Sequence, residues 1–264
     1  MDEKIRSRLE FAKVLAREAG GMALGFFRSI SELVVEPKGV QDMVSNADLD
    51  VETFIRTRLA ETYPEDGIVG EEHGTVESRS GFTWVIDPID GTANFVTGTP
   101  AWCVIIACVH EDRTKIAAIH DPSHDELFWA GLGCGAFLND APVRVAKTTG
   151  VNAGNTGVGM NSRTSTKLVG RFVVELVRRG GLFYRNASGG LMLCYVASGR
   201  LIGYVEPHMN AWDCLAGQLL VSEAGGRTEQ QSADAMLAKG GRVIASATAV
   251  FDELVEMADQ AFGE

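Results

Sequence analysis

Thr83-Trp84-Val85-Ile86 is a run of apolar, strand-favouring side chains that leads directly into two acids, Asp87 and Asp90. A short continuous apolar run of this kind fits a buried strand, and strand ends are where functional groups tend to sit. Pro88 fixes one backbone torsion and stiffens the turn between the acids. Gly91 permits a sharp turn, after which its amide and that of Thr92 can face an anion. Two carboxylates held this close repel each other, and a hard divalent cation with a preference for oxygen ligands relieves that repulsion. A lone Asp-x-x-Asp is ordinarily a solvated turn. The coincidence of apolar strand, proline, glycine and hydroxyl favours a functional reading here. The Asp-x-Asp-Gly-Thr motif of haloacid-dehalogenase phosphatases does not match, because Pro88 occupies the position of its nucleophile.

The pattern around this segment predicts helices, then strands, then an alternation of the two. A helix is expected from about Ile5 to Phe27, with Gly20-Gly21 serving close packing against another helix. A strand over Leu33 to Glu36 is expected to stop at Pro37. Ser45-Asn46-Ala47-Asp48 offers N-cap side chains for a helix that ends before Pro64. Strands follow at Gly67 to Gly70, Thr83 to Ile86, Val104 to Val109, Ile116 to Ile119 and Leu127 to Trp129, then a glycine-rich hairpin region. Beyond Ala141 to Gly154 the alternation begins: strands at Thr156 to Met160, Phe183 to Arg185, Leu201 to Val205 and Val243 to Ser246, and helices at Lys167 to Arg178, Leu191 to Ala197, Trp212 to Ala224 and Phe251 to Phe262. The fold class is therefore α+β then α/β. Two domains are expected, 1–143 carrying most of the candidate ligands and 144–264 contributing Asp213.

The 264 residues carry 24 basic and 35 acidic side chains, a formal charge of −11. Such a field repels a phosphate polymer, so no nucleic-acid partner is expected. A phosphate ester meets the same repulsion unless cations intervene. The five cysteines form no C-x-x-C pair and read as reduced, mostly buried thiols. The charged N-terminus has no apolar signal core, and the apolar run Ala101 to Val109 is too short to span a bilayer. No membrane partner is expected, and the chain reads as a soluble cytoplasmic protein.

Two further elements carry acids. Gly70-Glu71-Glu72-His73-Gly74 follows a short strand, where one glutamate can complete a metal site. Asn210-Ala211-Trp212-Asp213 opens a helix that runs to Glu223-Ala224-Gly225-Gly226. Taken alone, Asp213 reads equally well as a first-turn acid stabilised by the helix dipole.

Together these three elements resemble the inositol monophosphatase family of Mg²⁺-dependent, lithium-sensitive phosphatases, in order and interval, over essentially the whole chain. The resemblance implies a layered α-β-α-β-α sandwich of the sugar-phosphatase type, usually a homodimer. It implies two or three Mg²⁺ ions per site. Glu71, Asp87 and the carbonyl of Ile89 would hold the first, Asp87, Asp90 and Asp213 the second, and Glu71 would help a third through water. Phosphate would meet the amides of Gly91 and Thr92. Asp48 and the Thr92 hydroxyl would activate a water that attacks phosphorus directly. Substrate hydroxyls would meet Asp90, Asp213 and Glu206. Lys38 matches a family lysine near the site, but reads equally well as a solvated loop residue.

Ala93, Pro207-His208-Met209-Asn210 and Arg185-Asn186-Ala187-Ser188-Gly189-Gly190 depart from the family pattern around the substrate rather than around the metals. The resemblance thus implies hydrolysis of a small phosphate monoester, myo-inositol monophosphate first. Histidinol phosphate, fructose 1,6-bisphosphate and adenosine 3′,5′-bisphosphate are the alternatives, and a non-catalytic regulatory or binding protein on the same scaffold is the alternative of another class.

Overall fold

The computed structural model describes residues 2–39, 42–161 and 164–263, and of residues 38, 39, 42 and 43 the backbone alone. Helix α1 (Glu3–Arg28) is followed by strands β1 (Val35–Gly39) and β2 (Asp42–Ser45) and helix α2 (Asn46–Thr62). Then come β3 (Gly67–Gly70), β4 (Phe82–Asp90), α3 (Thr92–Val96), β5 (Cys103–His110), β6 (Arg113–Asp121), β7 (Glu126–Gly131), β8 (Ala136–Leu138) and β9 (Ala141–Pro142). The remainder alternates: β10 (Asn155–Val158), α4 (Thr166–Arg178), β11 (Leu182–Tyr184), α5 (Gly189–Ala197), β12 (Gly203–Met209), α6 (Ala211–Glu223), β13 (Arg227–Thr228), α7 (Ala233–Lys239), β14 (Gly241–Ser246) and α8 (Phe251–Phe262).

A seven-stranded sheet runs β3-β4-β5-β6-β7-β8-β9 and a five-stranded sheet runs β11-β10-β12-β14-β13. Successive strand residues face opposite sides of a sheet, and both sheets are covered on both sides. In β4, Trp84 and Ile86 pack against α1 and α2, while Val85 faces α5 and α6. In the smaller sheet Tyr204, Val243 and Ala245 face the same central helices, and Val205 and Ile244 face α4 and α8. Helix, sheet, helix, sheet and helix thus form five layers. Each fully buried large apolar side chain contributes roughly 1.5–3 kcal/mol, and Trp84, Phe95, Phe128, Phe172 and Tyr204 are all sealed from solvent.

Several boundaries differ from the sequence expectation. Pro37 lies inside β1 rather than stopping it; β1 and β2 form a separate two-stranded ribbon, where a proline is tolerated at an edge. Strand β12 begins later than Leu201 and continues past Pro207 through a register shift between Glu206 and Met209. Gly20 serves close packing against a strand, not a helix: a Cβ there would lie 2.2 Å from Nδ1 of His120 in β6. Helix α7 carried no periodic signal long enough to read.

Candidate metal and active site

Strands β3 and β4 are parallel, with Gly70 opposite Ile86. The residue after each pair is therefore an acid, Glu71 beside Asp87. Asp87 and Asp90 belong to the end of β4 rather than to a turn beyond it. Residues three apart in a regular strand point to opposite faces, but the β4–β5 register slips between Asp87 and Asp90. Asp87 pairs with Ile105 and Asp90 with Cys103, so β4 holds one extra residue. Such a bulge re-aims the side chains beyond it and returns Asp90 to the side of Asp87. The Ile89 amide donates to Oδ1 of Asp87 at 3.0 Å and locks the bulge.

Asp213 arrives from the other sheet's side of the molecule. It is the third residue of α6, and its Oδ2 accepts the Asn210 amide at 3.0 Å in a capping box. Capping and clustering are thus one placement: carboxylate oxygens of Asp87, Asp90 and Asp213 lie within 4.8 Å of one another. Asp48 is held in the same way at the start of α2. Its Oδ2 accepts the Ser45 amide at 2.8 Å and the Ser45 hydroxyl at 2.6 Å. Its Oδ1 accepts the Thr92 hydroxyl at 3.2 Å, and that hydroxyl also lies 3.1 Å from the Ile89 carbonyl. Gly91, at φ +95°, makes the turn between Asp90 and Thr92; a Cβ there would lie 2.9 Å from the Ala101 carbonyl oxygen.

Burial and mutual repulsion set the electrostatics. Burial pushes the Asp87 carboxyl well above the usual range, and the charges of Glu71, Asp90, Asp213 and Asp48 push it further. Asp213 is raised by burial and then by Asp90. Burial also raises Asp90 and Asp48, against hydrogen bonds from Ser188 and Ser45 that favour their charged forms. A set of carboxylates this close, with Asp87 buried and Asp90 and Asp213 half-buried, is costly when empty of positive charge, and its all-oxygen donor chemistry fits a hard cation such as Mg²⁺.

Glu206 lies in β12, one residue past the expected end of that strand at Val205. Tyr204 donates to its Oε2 and Asn161 to its Oε1, the latter at 3.3 Å. Burial pushes it up to about 7, with the Asp90 charge adding to the rise. The structure therefore gathers Asp48, Glu71, Asp87, Ile89, Asp90, Gly91, Thr92, Glu206 and Asp213 around one centre. The Lys38 side chain lies outside the described residues. The His73 ring sits 3.4 Å from Glu52 Oε1. Sequence reasoning missed Ser188, whose hydroxyl donates to Asp90 at 2.6 Å, and the Gly190 amide, which donates to the same oxygen at 2.7 Å. It also missed Glu52, a fully buried acid beneath Glu72 and His73.

An all-carboxylate centre between the two sheets of an α-β-α-β-α sandwich defines a protein of the sugar-phosphatase fold class. The chain belongs to the inositol monophosphatase family, whose model matches residues 4–261. It is 35% identical to the Nus factor SuhB of Haemophilus influenzae over 250 residues, 94% of each chain. It is 36% identical to the inositol-1-monophosphatase of Mesorhizobium japonicum over 240 residues, 87% of this chain and 88% of that one. Among solved structures, the Thermotoga maritima IMPase superposes with a TM-score of 0.87 at 28% identity, covering 97% of this chain and 98% of that one. The extragenic suppressor protein suhB of Bartonella henselae also gives 0.87, at 29% identity, covering 93% and 96%. Among the described residues no helix is long and apolar enough to cross a membrane.

Proposed function

We propose that the chain hydrolyses a small phosphate monoester, myo-inositol monophosphate first, in a Mg²⁺-dependent reaction. The observation that carries this reading is the convergence of Asp87, Asp90 and Asp213 oxygens within 4.8 Å, with Glu71 facing Asp87 and the Asp48–Thr92 pair alongside. Glu71, Asp87, the Ile89 carbonyl, Asp90 and Asp213 would hold the cations. When bound, Mg²⁺ supplies positive charge to the phosphate and acidifies the attacking water.

The chain's own groups do the rest. The Thr92 hydroxyl holds a water by one bond while donating to Asp48, which receives the proton. Burial raises Asp48 from its ordinary value, against hydrogen bonds from Ser45 and Thr92, which makes it a stronger base than an exposed aspartate. The amides of Gly91 and Thr92 face the phosphate across the tight turn. Glu206, with Asp90 and Asp213, orients the hydroxyls of the polyol, and its carboxylate disfavours a second phosphate there. Lithium inhibition, a homodimer and a cytoplasmic location belong to the same reading.

The relatives named Nus factor support a second reading, a regulatory or binding role on the same scaffold. The full set of Asp48, Glu71, Asp87, Asp90, Thr92 and Asp213 favours turnover over it. The test is phosphate release from myo-inositol 1-phosphate, histidinol phosphate, fructose 1,6-bisphosphate and adenosine 3′,5′-bisphosphate, with and without Mg²⁺. Preferred turnover of the inositol ester supports the substrate assignment. Preference for another ester keeps the chemistry and overturns the substrate. No Mg²⁺-dependent release from any of the four favours the binding role.

A further inference from the structure

Glu52 is fully buried on α2, and the cation cluster makes no direct use of it. Its Oε2 accepts the Glu72 amide at 2.7 Å, and its Oε1 accepts the His73 amide at 3.1 Å and Nε of Arg56 at 2.7 Å. Arg56 in turn donates through Nη2 to the His73 carbonyl at 3.0 Å. Side chains one helical turn apart on α2 thus grip the backbone on the C-terminal side of Glu71. The N-terminal side is fixed by β3, whose last residue, Gly70, lies against the same pair. A Cβ at Gly70 would stand 2.2 Å from Glu52 Oε1 and 2.9 Å from Arg56 Nη2. The loop carrying Glu71 is therefore seated on the Glu52–Arg56 pair from both directions. Buried charge without such bonds would be strongly destabilising, so the pair and the loop hold one another in place.

We propose that Glu52, with Arg56, is the positioning group that presents Glu71 to the cation cluster and so sets the affinity of the Mg²⁺ that Glu71 helps to hold. This rests on the reading that the cluster is a Mg²⁺ site. Partners one step removed from a ligand fix its orientation, and their loss costs about 10–100-fold in metal affinity or activity. Glu52→Gln keeps the size of the side chain but turns one acceptor into an N–H donor, which then faces either the loop amides or Arg56.

The test is calorimetric Mg²⁺ titration of Glu52→Gln, Glu71→Gln and the double variant, with thermal unfolding and Mg²⁺-dependent phosphate release from myo-inositol 1-phosphate measured on each. Glu52→Gln is expected to weaken Mg²⁺ binding about tenfold or more, to raise the Mg²⁺ needed for half-maximal rate by the same factor, and to leave substrate KM at saturating Mg²⁺ near the wild-type value. The double variant is expected to bind Mg²⁺ no more weakly than Glu71→Gln, because Glu52 acts through Glu71. Should Glu52→Gln fail to fold, Arg56→Gln carries the same expectations. A lowered melting temperature with unchanged Mg²⁺ affinity, or additive losses in the double variant, would overturn the positioning role. A wild-type protein that binds no Mg²⁺ would overturn the cation reading itself. A wild-type protein that binds Mg²⁺ without releasing phosphate would overturn the catalytic reading alone, and the titration would still decide the role of Glu52.

Discussion

The Ser188 hydroxyl donates to Oδ2 of Asp90 at 2.6 Å across 98 residues of chain. Ser188 is also the N-cap of α5, accepting the Leu191 amide at 3.3 Å. One hydroxyl therefore starts a helix of the central layer and stabilises the charged form of a cluster acid at the end of β4. Ser188→Ala is expected to lose about 1–3 kcal/mol of stability, from a cap and a bond to a charged group. It should also raise the Mg²⁺ needed for half-maximal phosphate release. Urea unfolding and a Mg²⁺ titration measure both, and no change in either contradicts the dual role.

Adjacent glycines of α1 should respond in opposite directions. A methyl at Gly20 runs into the His120 ring, whereas one at Gly21 meets nothing within 4 Å. Gly20→Ala is expected to cost about 1–3 kcal/mol by overpacking, and Gly21→Ala to stabilise by roughly 0.5–1 kcal/mol through helix propensity. Chemical denaturation of the two variants checks the pair.

How far the sequence revealed this site depended on the range of each interaction. Asp87, Asp90 and Thr92 share one local segment, so their proximity is readable from spacing, although the bulge that turns both acids to one side is not. The N-cap signal at Ser45 announces the start of a helix and not a site, so the place of Asp48 in the site came from the family resemblance. Asp213 carries a similar signal, yet a capping acid looks the same whether or not it also faces a cation, and there the family resemblance decided. Ser188 and Glu52 were not legible, because their partners are other elements' backbone and side chains, which no local pattern encodes. The long helices α1, α2 and α8 follow their apolar periodicity closely, while short α7 and the two-stranded ribbon through Pro37 depend on tertiary packing.

Two buried groups should tilt stability with pH in opposite senses. Burial and the Arg17 charge lower His120 from 6.5 to about 4. The unfolded chain then binds more protons between these values, so this contribution is present above about 6.5 and is lost as pH falls toward 4. Glu206 is raised from 4.5 to about 7. The folded chain binds more protons between those values, so its contribution is present below about 4.5 and is lost as pH rises through 7. Glu206→Gln is expected to remove its own share of the alkaline decline, a change on the order of 3 kcal/mol between the two ends, and to leave the share of the raised cluster acids. His120→Phe should flatten the acid decline. Unfolding free energies of the cation-free protein from pH 4 to 8 test both signs.

The cluster itself should trade stability for cation binding. Asp87 is raised well above the carboxylate range by burial and by four neighbouring acids, so its charge opposes folding in the absence of cations. Asp87→Asn retains an oxygen for the Ile89 amide and is expected to melt higher than wild type in EDTA. Mg²⁺ should stabilise the wild type by about 2.7 kcal/mol at a hundredfold excess over its dissociation constant, and the variant much less. Thermal unfolding with and without Mg²⁺ distinguishes these cases.

The most direct test of the central claim is Mg²⁺-titrated phosphate release from myo-inositol 1-phosphate by the wild type and Asp90→Asn in parallel. The account expects turnover by the wild type that is absent in EDTA, restored by Mg²⁺, and reduced by about a hundredfold or more in the variant, in keeping with the loss of several kcal/mol of transition-state charge stabilisation. Equal release by both proteins, or release by the wild type that persists in EDTA, would contradict it.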